Sequence, residues 1–303
     1  MKQFANPVFL FGATVALAIA GLTGCSDSTT KPKETDPYPN TRLLISGGDL
    51  AANLTAANQV IVDTRSADAY AAGHIPGAIS LPITPGTGLF DKGGAGTDAT
   101  DLKAPAELGT VLGAAGLAAN TTIVIYGTDI DWLVGRMFWM LEYIGASDVQ
   151  LLDGGFSKWT ADARQTSTTV ATAPAKTFTP SVIAARLVDK QDVLDIYQDT
   201  ADYAIVDSRN AADFQASRIP NAINILIGDF LNSDLTMKTS VEIDALLTAK
   251  GISRNKVIYT HCYVGYRSSQ EYFVFRLMGY NVAHYDGSWA EWAADPNTPK
   301  ASN

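Results

Sequence analysis

The chain carries an internal repeat, and that repeat limits its fold more than any other feature. Ile61-Val62-Asp63-Thr64-Arg65 returns as Ile205-Val206-Asp207-Ser208-Arg209. His74-Ile75-Pro76-Gly77-Ala78-Ile79 returns as Arg218-Ile219-Pro220-Asn221-Ala222-Ile223 at the same offset. Further on, Asp153-Gly154-Gly155-Phe156 with Trp159 matches Asp286-Gly287-Ser288-Trp289 with Trp292, at an offset 11 residues shorter. The first half therefore holds extra residues, and the Gly- and Asp-rich stretch from Pro85 to Asp101 is the place for them. Repetition on this scale means two copies of one folding unit. A length of 303 residues suits two domains.

Each half alternates compact apolar runs with amphipathic stretches. Val60-Ile61-Val62, Thr122–Tyr126, Tyr203–Val206 and Lys256–Tyr259 have the composition of buried parallel strands. Trp132–Ile144, Val241–Ala249 and Ser268–Met278 have helical patterning. Strand–helix alternation at this spacing predicts an α/β fold, two tandem domains, each a mainly parallel sheet flanked by helices. The expected borders are 43–165 and 181–303, joined by a Thr- and Ala-rich linker over 166–180.

Cys262, in His261-Cys262-Tyr263-Val264-Gly265-Tyr266-Arg267-Ser268-Ser269, falls directly after a strand and before a helix. In an open α/β sheet, ligands bind outside the carboxyl ends of strands. A tight loop there turns backbone N–H groups inward, and the helix adds its positive end. Both favour an anionic sulfur. The expected ligands to that charge are the N–H groups of Tyr263, Val264, Gly265, Tyr266 and Ser268, with Gly265 supplying freedom for the turn. Arg267 would either face an anionic substrate or pair with a helix carboxylate. The plain alternative for Cys262 is an inert thiol at a strand end.

These pieces together resemble the tandem-domain rhodaneses, the thiosulfate/3-mercaptopyruvate sulfurtransferase family. The strand-end Asp-x-Arg with its Ile-Pro-(Gly/Asn)-Ala-Ile segment, the Cys-x-x-Gly-x-Arg loop and the Asp-Gly turn leading to Trp span roughly Leu43 to Pro299. The resemblance implies that Cys262 is the nucleophile and carries a persulfide, while Arg267 binds the anionic donor. It implies a small sulfur-containing anion as donor, a thiol, cyanide or protein as acceptor, and no metal or other cofactor. It further suggests Arg186, near the linker, as a cleft residue in substrate binding. Counting back without a gap from the shared Asp-Gly turn places Asp129 opposite Cys262, so the first domain is expected to be inactive and to help wall the site. The loop is Cys-x4-Arg, shorter than the Cys-x5-Arg cradle of related phosphatases. Tyr263 and Tyr266 match neither the basic loop of thiosulfate enzymes nor the small one of mercaptopyruvate enzymes.

Other chemistries fare worse. The three histidines, His74, His261 and His284, are too scattered for a zinc cluster. Strand alternation turns His261 away from Cys262. Asp63/Arg65 and Asp207/Arg209 are expected to be buried ion pairs, and Trp159 and Trp292 core residues. A net charge of -9 argues against nucleic acid. Competing readings of the fold are an envelope scaffold with a vestigial Cys262, or handling of selenium or tellurium oxyanions.

The N-terminus adds a location. The apolar run from Pro7 to Leu22 is short for a membrane span and ends at Leu22-Thr23-Gly24-Cys25. That motif resembles a lipobox, which implies a signal peptide over 1–24, lipidation of Cys25 and a flexible tether over 25–42. The chain would then be exported and lipid-anchored to the bacterial cell envelope, with the outer membrane favoured by Ser26. Cys262 would be its one free thiol.

Overall fold

The computed structural model describes residues 37–86, 89–93 and 101–302. The first half contributes strands β1 (Leu44–Ile45), β2 (Gln59–Asp63), β3 (Ile79–Ser80), β4 (Thr122–Tyr126) and β5 (Asp148–Leu152). Between them run helices α1 (Gly47–Ala52), α2 (Ala67–Ala72), α3 (Pro105–Ala114) and α4 (Trp132–Tyr143), and α5 (Gly155–Ala161) follows. The second half repeats the scheme. Its strands are β6 (Leu187–Val188), β7 (Tyr203–Asp207), β8 (Ile223–Asn224), β9 (Val257–His261) and β10 (Asn281–Tyr285). Its helices are α6 (Lys190–Ile196), α7 (Ala211–Ala216), α8 (Ser240–Ala249), α9 (Ser268–Leu277) and α10 (Ser288–Ala294).

The two sheets share one topology, β1-β5-β4-β2-β3 and β6-β10-β9-β7-β8, with every pairing parallel. Parallel sheets survive only when both faces are covered, which is why β2, β4 and β7 are nearly continuous apolar runs. Side-chain caps mark where helices begin. Asp189 accepts from Gln191 and Asp192 N–H groups, and Thr239 from Glu242 N–H.

The halves are fused through α4 and α9. Phe138 packs edge-on against Phe273 at 5.0 Å, and one buried cluster runs from Val62 through Phe138 to Val206. Gly135 sits at the crossing, where a Cβ would lie 2.7 Å from the backbone nitrogen of Gln270. Glu142 of α4 then accepts from Tyr272 hydroxyl (2.7 Å) and Arg276 Nε (2.8 Å) of α9. The helices that follow the two equivalent loops are thus pressed together, which brings the loops themselves side by side.

Two segments are more ordered than their composition suggests. The linker is a strap along α3. Phe178 is buried, Lys176 N–H donates to Gly113 carbonyl (2.9 Å), and Gly109 and Gly113 leave no room for a Cβ beneath it. The tether expected to be flexible through residue 42 is fixed at its described end. Tyr38 hydroxyl donates to Lys238 carbonyl, Asn40 N–H to Leu277 carbonyl, and Arg42 to Ser147 carbonyl. Paired backbone groups and a packed aromatic ring, absent from a composition count, account for that order. The expected signal peptide and Cys25 lie outside the described residues. Among the described residues, no helix is long and apolar enough to cross a membrane.

Replacing Gly135 by Ala is expected to cost about 1–3 kcal/mol of unfolding free energy, because rigid backbone faces the added methyl. Urea denaturation of the variant checks this, and an unchanged midpoint would contradict the close crossing.

Candidate active site

Cys262 follows β9 and lies at the floor of a cavity of about 420 Å³ bordered by Trp132, Arg209, Tyr263, Val264, Tyr266 and Arg267. It is buried, as is Tyr266, whereas Tyr263 and Arg267 face solvent. None of the backbone N–H groups from Tyr263 to Ser268 donates to a protein acceptor among the described residues. They are a run of unbonded donors between Cys262 and the start of α9 at Ser268. Arg267 makes no ion pair among the described residues and lines the cavity. The loop therefore holds a buried thiol, unspent donors and one cation.

The loop is held from behind. Cys262 N–H donates to Ser288 Oγ (3.2 Å), and Ser288 Oγ–H donates to Tyr285 carbonyl (2.8 Å). Trp289 N–H meets Cys262 carbonyl (3.1 Å) and Ala290 N–H meets Tyr263 carbonyl (2.9 Å). Ser288 adopts φ +53°, a left-handed conformation that costs about 1 kcal/mol and aims its hydroxyl at the nucleophile's backbone. Gly265 has φ +80°, and a Cβ there would lie 2.6 Å from Asp286 carbonyl oxygen. Only glycine fits.

Asp286 connects this loop to the first domain. Arg136 of α4, fully buried, donates through Nη1 to Asp286 Oδ1 and through Nη2 to Oδ2 (3.3 Å). Its Nη2 is also 3.5 Å from Asp91 Oδ1, and its guanidinium lies 4.7 Å from the Tyr266 ring. Tyr266 hydroxyl donates to Asp91 Oδ2. Asp91 belongs to the extra stretch of the first half, so the inserted residues reach the loop of the second. Burial followed by this carboxylate raises the Tyr266 hydroxyl far above its ordinary range. Trp132 meets the same ring at 5.4 Å and completes the cavity wall.

Beside the loop, Arg209 is bound by Asp207 through Nε (3.0 Å) and Nη2 (2.6 Å), and it lies over the Trp289 ring. Asp63 and Arg65 repeat the pair. These are the expected buried ion pairs, yet Arg209 also lines the Cys262 cavity, a role the sequence had not suggested. His261 is buried, with Nε2 3.6 Å from Asp207 Oδ2 and Nδ1 3.2 Å from Cys262 carbonyl. Desolvation lowers its pKa, so it is a neutral wedge under the loop. Glu271, one turn into α9, is fully buried, and its carboxyl is pushed up to about 8 by desolvation. Trp159 and Trp292 are core residues whose indoles donate to Gln165 and Pro299 carbonyls.

The first domain's counterpart loop differs from the ungapped count. Thr64 N–H donates to Tyr126 carbonyl (3.0 Å), as Ser208 N–H does to His261 carbonyl (2.9 Å). Phe156 and Ser157 N–H groups take the carbonyls of Gly127 and Thr128, as Trp289 and Ala290 take those of Cys262 and Tyr263. Gly127, not Asp129, thus stands where Cys262 stands. The displacement of two residues arises because the connection from β4 to β5 is longer than that from β9 to β10, with 12 residues in α4 against 10 in α9. Asp131 of this loop caps α4, accepting from Leu133 (2.8 Å) and Val134 (3.1 Å) N–H groups. Arg186 does not line the cavity. It lies at the α4 side of the second domain, with Nε 3.9 Å from Glu142 Oε2 and its carbonyl taken by Trp139 indole. Among the described residues no cluster of metal ligands occurs.

Fold and loop together define a duplicated α/β scaffold in which one of the two equivalent loops carries a thiol. A rhodanese-like domain matches residues 46–162 and again 189–295, and the chain belongs to that family. It is 30% identical over 275 residues to a thiosulfate sulfurtransferase of Pseudomonas aeruginosa, covering 85% of this chain and 96% of the relative. It is 31% identical over 244 residues to a sulfur carrier protein of Thermus thermophilus, covering 74% of this chain and 83% of the relative. The 3-mercaptopyruvate sulfotransferase fold of Escherichia coli superposes with a TM-score of 0.72 at 24% identity, covering 82% of this chain and 98% of that one. The chain is a rhodanese-like sulfurtransferase.

The Glu271 carboxyl has a consequence for stability. Its folded pKa of about 8 lies above the ordinary 4.5, so its contribution is fully present below 4.5 and is lost as pH rises through 8. Between about pH 5 and 8, unfolding free energy is expected to fall by up to about 1.4 kcal/mol per pH unit relative to Glu271→Gln. Urea titrations of both proteins across that range check the difference in slope, and parallel curves would contradict a buried, protonated carboxyl.

Proposed function

We propose that the protein moves a sulfane sulfur from thiosulfate, or a donor like it, through a Cys262 persulfide to cyanide, a thiol or a protein acceptor. The observation that carries this reading is the buried Cys262 facing an open arc of N–H donors beside an unpaired Arg267. In the first half-reaction the Cys262 thiolate attacks the outer sulfur of thiosulfate. The S–S bond of the donor breaks and its electron pair leaves with sulfite. The new terminal sulfur takes the negative charge into the N–H arc, so neither metal nor redox partner is required. Arg267 draws the dianion in. In the second half-reaction the acceptor attacks the terminal sulfur and Cys262 leaves as thiolate.

We further propose that the chain is exported and anchored to the cell envelope by lipid on Cys25. The support is the apolar run followed by Leu22-Thr23-Gly24-Cys25. The single-thiol economy of the rest of the chain accords with that location.

Thiocyanate formation from thiosulfate and cyanide is expected to give parallel double-reciprocal lines, and Cys262→Ser to lower turnover by at least about 10³-fold. Mercaptopyruvate serves as the second donor in the same assay. Absence of Cys262-dependent turnover with both donors would refute the sulfur-transfer reading of this site.

A further inference from the structure

The Cys262 cavity does not end at its own loop. Across Asn210 and Arg267, which wall both, lies a second cavity of about 300 Å³. Leu226, Ile227 and Gly228 form one side of it, and Ser208 and Glu271 line the other. Nothing in thiosulfate or cyanide chemistry calls for it. The second cavity is mostly apolar. Its one carboxyl, Glu271, is fully buried, has an Oε2 without a hydrogen-bond partner among the described residues, and is uncharged below about pH 8. The mouth is apolar as well: Trp132, Tyr263 and Leu226 are 40%, 60% and 38% exposed beside the paired cavities. Large apolar side chains left exposed around a cavity mark a surface that meets apolar matter.

We propose that the two cavities form one site, in which the second receives the apolar body of a small organic thiol acceptor while its sulfur sits at Arg267, facing Cys262. The proposal rests on the sulfurtransferase reading and narrows its acceptor. Arg267 is common to both compartments and is the cation without an ion pair there. It therefore fixes the thiolate at their junction, and the carbon chain extends where Leu226 and Ile227 replace water. The acceptor thiolate attacks the terminal sulfur of the Cys262 persulfide, forming a new S–S bond. The S–S bond to Cys262 breaks, its electron pair returns to Sγ, and the acceptor departs as an alkyl persulfide anion. Charge and electrons balance without an oxidant or reductant.

The test uses the full chain with thiosulfate as donor and sulfite release as the readout. Acceptors are cyanide, ethanethiol, butanethiol and hexanethiol. From ethanethiol to hexanethiol kcat/KM is expected to rise about 10²-fold, as burying four added methylenes requires. Gly228→Phe fills the second cavity, and a Cβ at that position meets nothing within 4 Å. This variant is expected to lower the hexanethiol-to-cyanide ratio of kcat/KM at least about fivefold. Should that variant fold poorly, Gly228→Leu makes the same comparison. A flat thiol series beside normal cyanide turnover overturns the second compartment alone. A rising series with an unchanged ratio in Gly228→Phe places the apolar body elsewhere and overturns it too. No Cys262-dependent turnover with any acceptor overturns this proposal together with the reading it rests on.

Discussion

The buried pair between Arg136 and Asp286 is the contact on which the active arrangement depends. A guanidinium taken fully out of water is tolerable only when its donors are answered by charge and geometry. Here Asp286 answers from the second domain, Asp91 from the insertion in the first, and the Tyr266 ring lies close to the cation. Deleting one partner of such a pair typically costs about 3–5 kcal/mol, since it strands the other charge. Because Asp286 also presses against Gly265, the same contact fixes the loop that bears Cys262.

This arrangement gives the thiol-free domain a physical role. It contributes Arg136 and Asp91 behind the loop and Trp132 beside it, and its α4 lies against α9 at the Gly135 crossing. Duplication supplied two copies of one strand–loop–helix unit facing each other. One copy carries the Cys262 thiol. In the other, Gly127 occupies that position and Asp131 has become a helix cap. A preorganised N–H arc needs rigid support, and the second domain alone does not complete it.

What could be read from the sequence follows from how local each signal is. The repeat, the strand-end Asp-x-Arg pairs and the Cys262 loop are each local signals, and the pairs and the loop's place between β9 and α9 are as expected. The Arg136 cluster joins residues far apart in the chain, from Asp91 to Asp286, so no spacing announces it. The position of Gly127 was missed because an ungapped count cannot register a helical connection of different length. Ser288 looked like an ordinary variant of Gly155, although its hydroxyl holds the Cys262 backbone. The docked linker did leave a trace: Gly109 and Gly113 are four apart on α3 and mark a face where backbone approaches closely. Arg186 fits the general expectation of a residue near the domain boundary, but its partner is Glu142 rather than a substrate.

We propose that one residue, Cys262, carries the transferred sulfur while the other domain holds its loop in place. Intact-mass measurement of the full chain after brief exposure to thiosulfate, followed by peptide mapping, tests it most directly. The expected result is a gain of one sulfur atom, located on Cys262, reversed by cyanide and absent in Cys262→Ser. An unchanged mass, or a sulfur found elsewhere in the chain, would contradict it.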